Sequence, residues 1–142
     1  MMEAKENILY EIIQVPEATK VRFFTSVDPG SYVPSHWHRA VEIIYMLEGE
    51  LEVTAERMSR NLPAGQCILI NSNVIHSTKC THPNRAIVLQ IPMEFMETYI
   101  PEVSQLLFLW NPETQDPIMR TKLNRMKDTL TQMQIANDIR PE

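Results

Sequence analysis

The sequence lacks the features that would place it in a membrane, in the secretory pathway or in a disulfide-rich scaffold. No apolar run approaches the roughly 20 residues of a transmembrane helix. The start, MMEAKENILYEIIQ, has neither the basic stretch nor the cleavable apolar core of a secretory signal. Two cysteines, Cys67 and Cys80, are too few for a disulfide framework and form no CxxC pair. These absences predict a cytoplasmic protein with reduced thiols.

Basic residues are outnumbered by acidic ones and are not gathered into a patch. The 142 residues include 13 Lys and Arg against 18 Asp and Glu, which gives a formal net charge of −5. No basic stripe is present that could neutralise a run of phosphates. Direct binding of nucleic acid by this chain is therefore not expected.

Short apolar runs separated by turn residues fill the first two thirds of the chain. They are rich in Ile, Val, Phe and Tyr, which is typical of an all-β sandwich or barrel rather than of βαβ units. Only three glycines occur, so each is expected at a turn that needs a special backbone conformation. The predicted strands are ILYEIIQV (8–15), VRFFTSV (21–27), VEIIYML (41–47), LEVTA (51–55), QCILI (66–70) and AIVLQI (86–91).

The pattern changes after Pro92, where helical periodicity replaces the short apolar runs. Short helices are predicted at 93–100 and 104–110, and a long one begins after Asp116, its N-cap, with Pro117 in the first helical position. Apolar residues of the long helix alternate in steps of four and three, as in a heptad seam. Such a stripe can pack on its own barrel or against a second copy of the chain. The stripe consists of Met119, Leu123, Met126, Leu130 and Met133.

Side chains of the types that bind transition metals are concentrated in HWHRAVEIIYMLEG (36–49). In an extended strand His36 and His38 share one face, and the spacer before Glu42 can bend so that it returns to that face. His76 follows another predicted strand and a turn. Three imidazoles and one carboxylate would suit Zn, Mn, Fe, Ni or Cu and leave open positions for water or substrate. The alternative is a set of polar barrel residues bound to one another, to water or to an effector.

The spacing of these residues resembles two motifs of the cupin superfamily. Of the second motif, Gly65 and His76 are present, whereas Asn71, Asn73 and Cys80 replace a Pro, a Gly and an Asn. Because Asn tolerates left-handed backbone conformations, the turn before His76 can still form. The resemblance implies a mainly β fold, a double-stranded β-helix or jelly-roll-like barrel, with the four ligand-type residues at its mouth. The first motif is matched at every position, by Gly30, His36, His38, Glu42 and Gly49.

A second resemblance covers nearly the whole chain. HWHRAVEIIYMLEGELEV, ILINSNVIHS and VLQIPMEFMETYIPE, followed by helices, resemble the amino-terminal sensor domain of AraC-type bacterial transcription regulators. In that family the barrel holds a small-molecule effector, in some members a sugar, the trailing helices form a homodimer, and a carboxy-terminal pair of helix-turn-helix motifs binds DNA. The resemblance implies an effector-binding barrel at 1–92 and a helical dimerisation segment at 93–142. It also implies a sensor without enzymatic activity, with the DNA-binding domain absent from this chain.

Two further interpretations concern the pocket and the class of protein. Arg22 and Phe24 share one strand face and are candidate ligand-binding residues beside the His-Glu set. By analogy with sugar-sensing relatives, residues 1–15 would cover the pocket. The alternative function is a stand-alone metal-dependent cupin enzyme, a dioxygenase or an isomerase, in which the same four side chains hold the metal. An apolar strand lining without an obvious extra acid or base favours the sensor.

Overall fold

The computed structural model describes residues 8–139, and within them the chain folds into two β-sheets followed by two helices. One sheet has the strand order β1-β3-β8-β5-β6, and the other has the order β2-β9-β4-β7. This arrangement confirms the predicted mainly β fold with helices after it. The strands are β1 (Leu9–Tyr10), β2 (Arg22–Asp28), β3 (Tyr32–Trp37), β4 (Ala40–Glu48), β5 (Glu50–Ala55), β6 (Met58–Pro63), β7 (Cys67–Ile70), β8 (His76–Lys79) and β9 (Asn84–Pro92).

The main core lies between the two sheets. Side chains of β4 that point inward, such as Ile44 and Met46, meet Val53 and Leu62 from the opposite sheet. Alternation along β4 then also turns Glu42 inward, because it lies two residues before Ile44. The apolar contacts therefore fix the register that places a carboxylate inside the barrel.

The first predicted strand is wrong in its extent. β1 has only two residues, and it pairs in parallel with β3 at the edge of its sheet. An edge strand has a single neighbour to hold it, and the apolar residues beyond it, such as Ile12 and Val15, are exposed. The apolar character of 8–15 is therefore not matched by a continuous strand.

Three strands of the first sheet, β3, β6 and β8, lie outside the predicted apolar runs, although the histidine spacing already implies an extended segment at β3. β6 is polar, and the backbone returns it to β5 through a tight turn in which Glu56 and Arg57 have positive φ values of 51° and 67°. β8 has the sequence HSTK and is held between β3 and β5. Pairing with neighbours on both sides compensates for the low strand preference of its residues. The three glycines all have positive φ, as expected.

The carboxy-terminal part begins with α1 (Met93–Tyr99), directly after β9, as predicted. The predicted helix at 104–110 is wrong, since a single 3₁₀ turn (Val103–Gln105) is followed by chain without helical structure. The side-chain amide of Asn71 explains the difference. It accepts a hydrogen bond from the backbone N–H of Phe108 and donates one to its carbonyl oxygen, both at 3.0 Å. These tertiary contacts satisfy backbone groups that a helix would otherwise pair internally.

The long helix α2 (Pro117–Ile139) starts where the sequence predicts. Its N-cap is Asp116, whose carboxylate accepts a hydrogen bond from the N–H of Ile118 at 3.2 Å. Within residues 8–139, neither helix combines the length and the apolar character that a membrane crossing needs.

The apolar stripe of α2 packs on the outer face of its own barrel. Leu123 and Leu130 are buried within the single chain, and Met126 and Met133 pack on the same cluster of sheet residues as Leu130. The two leucines are therefore covered by the chain's own barrel. The half-buried Met119 lies beside this face. A homodimer stays a prediction, as does the division of the chain at residue 92.

Candidate metal and effector site

Three histidines converge inside the barrel because of strand register. His36 on β3 lies directly opposite His76 on β8, and their rings are 4.2 Å apart between centroids. His38 follows β3 and places its ring 5.0 Å from that of His76. One ligand nitrogen from each ring lies within 4.8 Å of the other two. Sheet pairing, rather than sequence spacing alone, therefore brings the third histidine to the predicted pair.

The orientation of all three rings is set by backbone carbonyl groups. Each Nδ1 lies within hydrogen-bond distance of a carbonyl oxygen two residues away in sequence. A carbonyl oxygen can only accept, so each Nδ1 carries the proton and donates it. In the neutral ring Nε2 is then left with a lone pair, which is the state in which histidine binds a metal. The acceptors are the carbonyl oxygens of Pro34, Ala40 and Val74, at 3.0, 3.1 and 2.8 Å.

Glu42 approaches two of these nitrogens from the opposite sheet. Its Oε1 lies 3.0 Å from Nε2 of His38 and 3.8 Å from Nε2 of His76. The longer distance is beyond hydrogen-bond range, and Nε2 of His76 is a buried polar atom with no hydrogen-bond partner. A lone pair facing a carboxylate at 3.0 Å is repulsive unless a cation lies between them. A proton or a metal ion meets that requirement.

Glu42 and His76 each shift the other's pKa towards the charged form. Burial alone would raise the pKa of Glu42, but contacts with His38, His76 and Gln90 outweigh burial and hold that pKa well below its ordinary value. Burial alone would likewise lower the pKa of His76, and the negative charge of Glu42 together with the Val74 carbonyl raises it instead. The carboxylate of Glu42 therefore stays ionised at neutral pH despite its burial, and this negative charge favours a cation next to it.

The residues present fit a divalent transition metal. Imidazole suits Zn, Fe, Ni and Cu, and a carboxylate adds an oxygen ligand suited to Mn as well. The backbone acceptors on Nδ1 are the outer contacts that orient metal-binding histidines. The unpartnered Nε2 of His76 is a buried atom that such an ion would satisfy. Glu42 lies close to two of the three nitrogens, although the 4.8 Å group contains only the histidines.

Two polar residues outside the predicted set, Gln90 and Glu11, also belong to the site. Gln90 on β9 donates a hydrogen bond to Oε1 of Glu42 at 2.8 Å. Its own Oε1 accepts one from Nη1 of Arg22 at 3.1 Å. Gln90 is the one polar residue of the predicted strand AIVLQI (86–91), and that break in an apolar run is the signal that could have identified it.

The second such residue is Glu11, which belongs to the amino-terminal segment. Its carboxylate lies 3.7 Å from Nε2 of His36 and 3.8 Å from Nη1 of Arg22. Arg22 also lies over the ring of Phe24, with 4.5 Å between its Cζ and the ring centroid. The predicted pair of Arg22 and Phe24 is thus joined to the histidine cluster through Gln90 and Glu11.

An open cavity of about 960 Å³ adjoins the cluster on the side of His76. Leu9 and Tyr32 line it from the first sheet, and Arg57 lines it from the β5–β6 turn. Of the six predicted ligand-binding residues, His76 is the one that lines this cavity. Of the predicted covering segment 1–15, residues 1–7 lie outside the described residues, and Ile8 and Leu9 contribute to the cavity wall.

Comparison with known proteins supports the fold. Residues 23–92 match a family model described as the cupin domain. The cupin domain of Cnp3 from Schizosaccharomyces pombe superposes with a TM-score of 0.52 at 13% identity, over 60% of this chain and 65% of that domain. The present chain thus covers slightly less than two thirds of that structure. The match establishes the barrel fold.

Two bacterial structures give weaker likenesses. An RmlC-like cupin from Shewanella frigidimarina is 24% identical, with a TM-score of 0.48, over 51% of this chain and 67% of that one. A predicted oxalate decarboxylase from Thermotoga maritima is 26% identical, with a TM-score of 0.48, over 53% and 70% of the two chains. No curated protein matches the sequence.

Proposed function

We propose that this chain, which contains a cupin domain at residues 23–92, is the effector-sensing domain of an AraC-type bacterial transcription regulator. In this proposal a divalent transition metal bound by His36, His38, His76 and Glu42 forms part of the effector site. The metal is supported most directly by the arrangement of the three rings: each Nδ1 is held by a carbonyl oxygen, which leaves Nε2 free to bind a metal, and one ring nitrogen of each histidine lies within 4.8 Å of the other two.

The chain's own residues would hold and orient the effector. When bound, the metal supplies a Lewis-acidic centre with open positions for an oxygen donor of the effector. Gln90 fixes Glu42 through its 2.8 Å hydrogen bond, and Arg22 holds Gln90 in turn. The site is linked to the carboxy-terminal part through Asn71, in the turn before His76, which binds Phe108.

This link supports a sensor, because ligand binding at the centre can change the preferred conformation of the segment that precedes α2. A ligand shifts such an equilibrium only by binding two arrangements with different affinity. The sequence resemblance to AraC-type sensors supports the same function. Dimerisation and DNA binding through a separate domain are part of this proposal.

The second candidate is a metal-dependent cupin enzyme, such as a dioxygenase or an isomerase. The same four side chains would favour it, since they leave positions open for substrate. The two candidates differ in what the gene encodes beyond Glu142. An in-frame pair of helix-turn-helix motifs supports the regulator, and a stop codon at that position contradicts it.

The metal is tested with the chelator-treated chain, by calorimetric titration with ZnCl₂ and with CoCl₂. Wild type should bind one equivalent, and His36→Gln should weaken binding about tenfold or more, because one metal ligand is lost. His36 is the least buried of the three histidines, with 16% of its side chain exposed, so the fold should be retained. His82→Gln is the matched control, since His82 is exposed and is not one of the histidines whose ligand atoms come together. No binding by wild type, or equal binding by both variants, would refute the metal site.

A further inference from the structure

The backbone of the amino-terminal segment places the carboxylate of Glu11 beside the histidine cluster. The backbone N–H of Glu11 donates to the carbonyl oxygen of Trp37 at 2.9 Å, which continues the parallel pairing of β1 with β3. The preceding residue, Tyr10, lies against the ring of Trp37, with 4.4 Å between centroids. Because side chains alternate along this segment, Glu11 points to the same side as Leu9, whose partner in register is His36.

The carboxylate of Glu11 lies between two cationic or metal-binding groups. One oxygen is 3.7 Å from Nε2 of His36 and the other is 3.8 Å from Nη1 of Arg22. Both distances exceed hydrogen-bond range, so Glu11 approaches these groups without a tight bond to either. Solvent reaches this position, since the side chains of Glu11 and Arg22 are 39% and 40% exposed.

The guanidinium of Arg22 is positioned so that it could bind a planar anion such as a carboxylate. Its guanidinium lies over the ring of Phe24 and uses Nη1 for the hydrogen bond with Gln90. Among residues 8–139, that is the only hydrogen bond the guanidinium makes, and a guanidinium has five N–H donors. Arginine pairs with carboxylates through two parallel N–H donors. A carboxylate ligand could therefore bind more closely than Glu11 does.

We infer that the effector is a small carboxylate, and that Glu11 occupies its position until the effector displaces it from Arg22 and His36. The inference rests on the proposed effector site and specifies its ligand class. A neutral sugar would leave the Arg22 guanidinium without a counter-charge and would have to compete with Glu11 through hydroxyl groups alone. A carboxylate effector replaces the negative charge of Glu11 with its own. The electrostatic attraction to the Arg22 guanidinium is therefore kept when Glu11 leaves.

Competition between Glu11 and the effector predicts whether a substitution raises or lowers the affinity for the effector. If Glu11 occupies the position most of the time, only a fraction of the molecules is open to the effector, and the apparent affinity is reduced by that fraction. Removal of the Glu11 charge should therefore increase the affinity for small carboxylates about 3- to 10-fold. Removal of the Arg22 charge should decrease it about tenfold or more, since hydrogen bonds to charged groups are lost.

The test is calorimetric titration of the full chain with malonate and acetate, and with malonamide and acetamide as uncharged isosteres. The variants are Glu11→Gln and Arg22→Gln, with Glu17→Gln as a control that makes the same charge change at an exposed position of the same segment. Glu11→Gln should bind malonate more tightly than wild type, Arg22→Gln more weakly, and Glu17→Gln equally. Unchanged or weaker binding by Glu11→Gln, or equal binding of malonamide and malonate, would overturn the inference.

The titrations are run on the chelator-treated chain and on the zinc-loaded, desalted chain, with folding of each variant checked by circular dichroism. Zinc binding without any carboxylate binding overturns the carboxylate inference and leaves the metal site intact. Carboxylate binding that responds to Glu11→Gln in a chain that binds no zinc supports the inference and refutes the metal site. The two failures are thus distinguishable.

Discussion

Replacing Glu42 by Gln should destabilise the metal-free protein in a pH-dependent way. Glu42 accepts hydrogen bonds from Gln90 at 2.8 Å and from His38 at 3.0 Å, and it is buried. A hydrogen bond to a charged group contributes about 1.5–3 kcal/mol to stability, against about 0.5–1.5 kcal/mol for a neutral one. Glu42→Gln keeps the shape and one acceptor oxygen, so the two bonds lose about 2 kcal/mol in total.

The pH at which this cost appears follows from the pKa shifts of the pair. The pKa of Glu42 is lowered from 4.5, so its contribution is present above pH 4.5 and decreases as the pH falls below that value. The pKa of His76 is raised from 6.5, so its contribution is present below pH 6.5 and is lost as the pH rises through the raised value. The cost of Glu42→Gln should therefore be largest between pH 4.5 and 6.5.

Urea unfolding in the presence of EDTA, measured by circular dichroism at pH 3.5, 5.5 and 8, tests this reasoning. At pH 5.5 the variant should be less stable by about 2 kcal/mol, or about 4–8 °C in Tm for a chain of this size. At pH 3.5 most of this difference should disappear, because the contribution of Glu42 falls by about 1.4 kcal/mol per pH unit below pH 4.5. Glu48→Gln, on the same strand and exposed, is the control. A cost that is the same at pH 3.5 and 5.5 would refute the account of Glu42 as a buried ionised carboxylate.

Three further substitutions test the fold around the site. Leu130→Ala should lower the free energy of unfolding by about 2–5 kcal/mol, because its fully buried side chain packs on the barrel. The control Ile135→Ala, at an exposed position of the same helix, should change that free energy by less than about 0.5 kcal/mol. Equal effects of the two substitutions would contradict the packing of Leu130 on the barrel. Gly49→Ala should cost at least about 1–3 kcal/mol, since φ is +76° and a Cβ would lie 2.8 Å from a backbone carbonyl oxygen; a stable variant would show that the turn has another conformation. Asn71→Ala should speed hydrogen exchange of the Phe108 amide, which it binds at 3.0 Å, and unchanged exchange would exclude that contact.

Much of the barrel and the position of the histidine cluster could be predicted from sequence, because both depend on short-range patterns. Apolar runs identify all four strands of the second sheet and β5 of the first, and the spacing of His36, His38 and Glu42 indicates a common face. The left-handed turn before His76 also follows from its residues, since Asn73 has φ of 68°. These features need no knowledge of distant contacts.

The contacts that sequence patterns did not predict all depend on residues far apart in the chain. The Leu-rich stretch 104–110 has helical composition, but its backbone is bound by Asn71. Gln90 and Glu11 enter the site through strand pairing and through the parallel edge contact of β1, and neither has a local motif. The stripe of α2 has the spacing of a coiled coil, yet the nearest apolar surface is the chain's own barrel, which buries Leu130.

Anomalous diffraction from crystals of the full chain grown with CoCl₂ tests the central claim most directly. Data collected on both sides of the cobalt absorption edge identify the ion and locate it without reference to the protein atoms. The account predicts one anomalous peak among the Nε2 atoms of His36, His38 and His76, next to the carboxylate of Glu42. Fully occupied cobalt elsewhere, with no peak at this centre, would contradict it.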